Sequence, residues 1–334
     1  MTDAPDHKSN ALRALAWRAA LFCALQLVVL GWLLRGYHAD DRILLASINA
    51  KHARLANLPS PRLMLVGGSN VLYGLDSRTI AEEAGMPHVV NMALTSVVGL
   101  HFMLKEVEPS VRPGDVVLVS PEYDHFCRNP TSARDLIWLL ERRPSVLLGF
   151  PGEHWKLVMD RALHHLAAVI RAEVFRKGAR PDLGPTHVKW INEYGDNTAS
   201  RTLLEPPPVA AWQLECSEGR KGLMDEQVER IAEYKRSVET RGARMLLTYP
   251  TFDQSQYRKN EADIGELHRR LEALFGPALL TQPNETAIPA ASLYDTHYHP
   301  DETEKIRRSR LVGQRLAAYL RAQSDTVVEA TSRQ

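Results

Sequence analysis

Three residues far apart in the chain have the types needed for nucleophilic acyl chemistry. Ser69 closes "RLMLVGGS", and Asp295, His297 and His299 lie within "LYDTHYHPDETEKIRR". A serine hydroxyl attacks a carbonyl only when a base takes its proton and a third group orients that base. Ser69 with His299 as base and Asp295 as orienting carboxylate supplies all three, and His297 is the alternative base. Each residue also has a plainer reading. A serine after two glycines is a common turn residue, an aspartate can start a helix, and a histidine can be a solvated loop residue. "HYH" with Asp295 and Asp301 has metal-ligand types, but no third partner can be placed from the sequence. No metal site and no cofactor is expected.

These groups need a frame that gathers them. "RLMLVGGS", "HVVNMAL", "DVVLVSPEY" and "ARMLLTYPTFD" read as strands separated by helices, which implies a mostly parallel, doubly wound sheet. Asp76 or Ser77 can cap the helix "SRTIAEEAG", which Gly85 ends. In such sheets ligands collect beyond the carboxyl ends of the strands. Ser69, Asn91, Glu122 and Asp253 all belong near those ends. Asn91 can equally satisfy buried backbone groups. Between about 129 and 223 the rhythm stops, giving an insertion over one sheet edge. It holds the helical stretches "SARDLIWLLERR" and "GEHWKLVMDRALHHLAAVIRAEVFRKG", then the loops "NEYGDN" and "EPPPVAAW". His164 and His165 fall on the second helix as surface or core filler, and "NEYGDN" reads as an Asx-rich turn or a cleft lining.

The chain resembles the SGNH (GDSL-like) hydrolase superfamily of serine esterases and acyltransferases. "VGGSN" stands where that family has its GDS block, and "DTHYHP" where it has Asp-x-x-His-Pro. The resemblance spans about 62–323 and leaves the insertion unmatched. It implies a three-layer α/β/α, flavodoxin-like fold with Ser69 as nucleophile, His299 as base and Asp295 as its orienting group. It further implies that the N–H groups of Ser69 and Asn70, beside Gly68, face the oxyanion. Within the superfamily the chain is most similar to membrane-anchored bacterial proteins of cell-surface polysaccharide O-acetylation and D-alanylation. Those work beside a membrane-bound O-acyltransferase. Three features depart from the pattern. Asp-x-x-His is stretched by one residue, with Tyr298 in the fourth place. Ala93 stands for the second oxyanion glycine, and "SPEY" replaces Gly-x-Asn-Asp, so that an acidic Glu122 occupies the asparagine's place.

The 334 residues suffice for a large core, and 44% hydrophobic with 24% charged residues argue against global disorder. A net charge of +1 gives no electrostatic case for nucleic acid. From Ala19 to Leu34 the chain carries no charge, and Ala14–Trp17 lengthens the run toward a spanning helix. It lacks the polar face of a core helix, and no small-x-small cleavage site follows it closely. Lys8, Arg13 and Arg18 before the run place the amino terminus inside. The expected organisation is a cytoplasmic tail (1–13), an anchor (14–36), a polar juxtamembrane linker with a short helix (37–61), the α/β domain (62–323) and a flexible tail (324–334). The domain would then be periplasmic or extracytoplasmic, on a single pass through the inner membrane. Cys127 and Cys216 either pair in that oxidising compartment or remain thiols, and Cys23 lies in the apolar run.

The expected activity is transfer or removal of an O-linked acyl group, acetyl foremost, on a surface glycan, so the partners are that glycan and an acyl donor. The alternatives are a non-catalytic polymer-binding or scaffold subunit, and a plain esterase or lipase lidded by residues 131–178.

Overall fold

The computed structural model describes residues 7–34, 44–127, 131–145, 152–174, 185–202, 214 and 221–332. Cys216 and the "EPPPVAAW" loop lie outside them. The chain divides into two compact units, 1–39 with 159–181 and 40–158 with 182–334.

In the first unit, α1 (His7–Leu34) begins before the expected anchor boundary. Its stretch Leu12–Val29 has a mean hydropathy of 1.6 and no buried residue, so it is long and apolar enough to cross a membrane.

The second unit is a mixed α/β fold built on a parallel sheet. It opens with α2 (Ile48–Asn57), in the segment expected to be a polar linker. The short helix read within that linker is α2, and Leu44, Leu45, Ile48 and Leu55 join the core. Two polar residues go in with them because each finds a partner. Lys51 Nζ donates to the Ala93 carbonyl at 2.5 Å, and His52 Nε2 meets Glu106 Oε1 at 2.6 Å.

β1 (Leu63–Gly67) follows, buried throughout, then the one-turn α3 (Ser69–Leu72) and α4 (Ser77–Ala84). The Asp76 carboxylate caps α4 by accepting the Thr79 N–H at 2.8 Å, and Gly85 ends it at φ 64°, a left-handed conformation suited to glycine. β2 (Val89–Asn91), α5 (Leu100–Val107) and β3 (Val116–Ser120) continue the alternation.

After β3 come α6 (Asp124–Cys127), α7 (Ala133–Arg142), α8 (Gly152–Val174), which belongs to this unit only as far as Val158, and α9 (Ala199–Thr202). α10 (Lys221–Thr240) leads into β4 (Arg244–Leu247). The strand expected over "ARMLLTYPTFD" divides here, because Pro250 has no N–H to give a ladder. Its second part, β5 (Phe252–Asp253), precedes α11 (Gln254–Lys259) and α12 (Glu261–Phe275). β5 pairs in parallel with β6 (Ala287–Ile288) as a separate small sheet. α13 (Glu302–Ser332) closes the chain and packs on α4. It runs through the expected tail, since 324–332 contains neither glycine nor proline to stop it.

The main sheet has the order β2-β1-β3-β4 with every pair parallel. A parallel bridge from Leu247 to Leu279 extends it beyond β4. At its foot the buried Arg62 binds Asp115 at 2.5 Å and donates to the Leu55 carbonyl at 2.7 Å, tying α2 to the starts of β1 and β3. Burial works against the Asp115 charge, but hydrogen bonds from Arg62 and Arg112 hold its carboxyl below the usual range. The chain winds from β1 to β2 on one side and to β3 on the other. Its topological switch therefore lies where β1 and β3 end, at Ser69 and Glu122.

Candidate active site

Ser69 is the first residue of α3, half-buried, two residues past the end of β1. Gly68 lets the loop after β3 press against this turn. A Cβ there would stand 2.7 Å from Glu122 Oε1 and 3.0 Å from Ser96 Cα. Glu122 Oε1 accepts two hydrogen bonds, from the Ser69 hydroxyl at 3.2 Å and from the Asn70 N–H at 3.0 Å. The Glu122 N–H donates to His125 Nδ1 at 3.2 Å, and His125 Nε2 donates to the Ser96 carbonyl at 3.2 Å, which holds the loop in place.

Beneath α3 the packing is polar and buried. The Asn70 side-chain amide donates to the Ser120 carbonyl at 3.1 Å and hydroxyl at 2.9 Å. Arg308 of α13 reaches the same place, donating to the carbonyls of Asn70 at 3.0 Å and Tyr249 at 2.9 Å and to the Ser120 hydroxyl at 3.0 Å. Burial lowers the Arg308 pKa to about 9, against an opposing pull from Tyr123. The guanidinium thus ties the turn that begins at Ser69 to β3 and to the segment after β4.

Asp295 and His299 lie on a tight loop closed by an antiparallel bridge between Leu293 and Pro300. The Tyr294 N–H donates to the His299 carbonyl at 2.7 Å, and the Asp301 N–H to the Ser292 carbonyl at 2.8 Å. Within this loop Asp295 Oδ1 accepts from His299 Nδ1 at 2.5 Å. His299 is 6% exposed, and its Nε2 is buried with no hydrogen-bond partner. The Tyr73 ring stacks on the His299 ring with centroids 4.3 Å apart and planes 22° from parallel. The Tyr73 N–H donates to the Ser69 carbonyl at 2.9 Å, so the imidazole rests on the residue one turn beyond Ser69. Ser69 and His299 share no hydrogen bond, because the serine hydroxyl is turned to Glu122.

His297 and Tyr298 serve the loop itself. The His297 carbonyl accepts the Asp253 N–H at 3.0 Å, and the buried Tyr298 ring stacks on Phe252 with centroids 5.0 Å apart. Asp253, expected on the rim, caps α11 by accepting the N–H groups of Ser255 at 2.7 Å and Gln256 at 3.0 Å.

The expected oxyanion groups are differently employed. The Ala93 N–H donates to Asn91 Oδ1 at 3.0 Å, so in this arrangement it is not free for an oxyanion. Asn91 Nδ2 donates to Asp196 Oδ1 at 2.9 Å, which makes Asn91 a clamp on the loop beside β2. Of the two α3 amides, Asn70 N–H is given to Glu122, whereas Ser69 N–H has no acceptor among the described residues. Among the described residues, no group of three His, Cys, Asp or Glu side chains could hold a metal ion. Cys127, beyond Glu122, is disulfide-bonded, and Cys23 is free.

No family model, no curated protein and no solved structure matches the chain.

Sequence reasoning missed Tyr73, Arg308, Lys51 and the role of Asp196. Asp196 sits in "NEYGDN" and accepts the Ser77 N–H at 2.9 Å and the Ser77 hydroxyl at 2.5 Å. Its local signal was the Asx-rich turn itself: Asn192 Oδ1 accepts the N–H groups of Tyr194 and Asp196. Tyr73 stands one helical turn after Ser69, which was the signal for it, whereas no local pattern marks Arg308.

Proposed function

We propose that this chain is a serine-dependent O-acyltransferase or esterase of the SGNH type, with a three-layer α/β/α domain held at a bacterial inner membrane by α1. The observation that carries this reading is the Asp295–His299 pair, whose imidazole lies on the helical turn that begins at Ser69 and keeps a buried, unpartnered Nε2. Nε2 is the atom that takes the serine proton in such a pair. As the Ser69 Oγ–acyl carbon bond forms, the proton passes to Nε2. As the donor's C–O bond breaks, that proton goes to the departing oxygen. A sugar hydroxyl or water then attacks the acyl carbon and gives its proton to Nε2; the Ser69 Oγ–acyl bond breaks and Nε2 returns that proton to Oγ, restoring Ser69. The glycan acceptor, the acetyl group, the extracytoplasmic placement and a neighbouring membrane-bound O-acyltransferase come with the family resemblance. A disulfide at Cys127 accords with an oxidising compartment.

A second reading is favoured by one observation. Glu122 holds both the Ser69 hydroxyl and the Asn70 N–H, as befits a polymer-binding or scaffold subunit that keeps the fold without catalysis. Incubating the full chain in detergent with p-nitrophenyl acetate, followed by peptide mass spectrometry, separates the two. Catalysis requires an acetyl adduct on Ser69 that is absent in Ser69→Ala and in His299→Ala. Adding glycan oligosaccharides then distinguishes transfer from hydrolysis. No adduct on Ser69 would leave the binding reading standing.

A further inference from the structure

The contact between Glu122 and the turn at Ser69 is built in. One carboxylate oxygen accepts both the nucleophile's hydroxyl and the next residue's N–H, and Gly68 leaves it the room to do so. The same arrangement leaves the base unused, since His299 Nε2 is buried without a partner while the serine proton faces the other way. Among the described residues no Lys, Arg or His forms an ion pair with Glu122. A carboxylate in this position repels the negative charge that develops on an acyl oxygen, and it occupies the Asn70 donor that could stabilise that charge.

We propose that Glu122 is a catalytic residue that latches Ser69 in a resting position, and that the acyl donor opens the latch by competing for the Asn70 N–H. This inference rests on the serine-acylation reading and adds to it the residue that controls the nucleophile. In the latched state the Ser69 hydroxyl donates to Glu122. When the donor's carbonyl oxygen takes the Asn70 N–H, Glu122 loses one of its two hydrogen bonds and gives up the other. Ser69 then turns its hydroxyl to His299 Nε2, and the Ser69 and Asn70 N–H groups together face the oxyanion. The latch keeps the nucleophile from reacting with water-borne electrophiles that cannot make this exchange. A carboxylate that merely capped α3 would leave labelling unchanged or slow it when removed. A carboxylate acting as the general base would slow it when neutralised. A latch has the opposite sign.

The test is the rate at which a fluorophosphonate labels Ser69 in the full chain. The Oγ–P bond forms, fluoride leaves with the P–F electrons, and the proton passes to His299. Glu122→Gln keeps an oxygen acceptor but weakens a charge-assisted bond, and Glu122→Ala removes the acceptor. Such bonds are worth enough to change a rate about tenfold. The expected result is labelling roughly threefold faster in Glu122→Gln and roughly tenfold or more faster in Glu122→Ala. Thermal melting of each variant shows that it is folded, and Glu122→Gln keeps the test valid should Glu122→Ala fail to fold. Equal or slower labelling of the folded variants, with wild type labelled at Ser69, overturns the latch and leaves the serine-acylation reading intact. Absence of Ser69 labelling in wild type and variants alike overturns both.

Discussion

Tyr73 lies flat on His299, with ring centroids 4.3 Å apart, and its hydroxyl donates to the Pro185 carbonyl at 2.8 Å. Burial, with Asp295 and Tyr294 adding to it, pushes the Tyr73 phenol well above its ordinary range, so it stays neutral and donates. The ring is thereby fixed at both ends and fixes the imidazole plane in turn. An offset aromatic pair contributes about 0.5–1.5 kcal/mol beyond its burial. Tyr73→Phe keeps the ring and is expected to acylate Ser69 within about twofold of wild type. Tyr73→Leu is expected to lower the acylation rate about three- to tenfold at saturating p-nitrophenyl acetate, with little change in KM. Equal rates in Leu and Phe variants would remove Tyr73 from the positioning of the base.

Asp295 acts on the same ring at its Nδ1 edge. Its 2.5 Å contact to Nδ1 selects the tautomer in which Nε2 is the acceptor. Asp295→Asn leaves the shape but allows the opposite tautomer. Ser69 acylation should fall by about 10²-fold or more, the scale of a lost general base. Peptide mass spectrometry of the adduct against time reads this directly. A fall of less than about threefold would mean that His299 does not take the serine proton.

Much of the frame was legible because local chemistry decided it. "LMLV" and "VVLV" are apolar runs that only a sheet covered on both sides accepts, and Asp76 and Gly85 mark the ends of α4 by their own bonding and φ. Other parts depended on partners distant in sequence. Lys51 and His52 made α2 look like a solvated linker, yet Ala93 and Glu106 satisfy them inside. At the site, the order of strands could nominate Ser69, Glu122 and Asn91 for one rim. Which of them touch was set by side chains 20 to more than 200 residues apart. Arg308 shows the limit most clearly, since its partners Asn70, Ser120 and Tyr249 come from three different crossings of the fold.

Asp196 is 1% exposed and holds α4 and β2 together through Ser77 and Asn91. It also faces two buried ammonium groups, Lys51 and Lys305. Asp196→Asn preserves volume but removes the countercharge of Lys51 and leaves Lys305 only Glu302 and Asp76. Removing one partner from such a buried set costs about 3–5 kcal/mol. Urea unfolding should show that loss as a lower midpoint at unchanged slope. A loss under about 1 kcal/mol would mean that the loop beside β2 is held by its backbone bonds instead.

Lys51 gives the fold a pH dependence of defined sign. Burial lowers its pKa from 10.5 to about 7, against the attraction of Asp196. Below pH 7 the lysine is charged in both states, and the full cost of burying an ammonium weighs on the native protein. Between about 7 and 10.5 the native state has released the proton and the unfolded chain still holds it. Stability therefore rises with pH across this window, by at most about 1.4 kcal/mol per unit. Lys305 is shifted down for the same reason and adds to the slope. Lys51→Met removes the Lys51 share and leaves the Lys305 share. Urea midpoints measured from pH 6 to 9 should climb more steeply for wild type than for Lys51→Met. Parallel curves would show that the Lys51 ammonium stays protonated inside the fold, held by Asp196 and the Ala93 carbonyl.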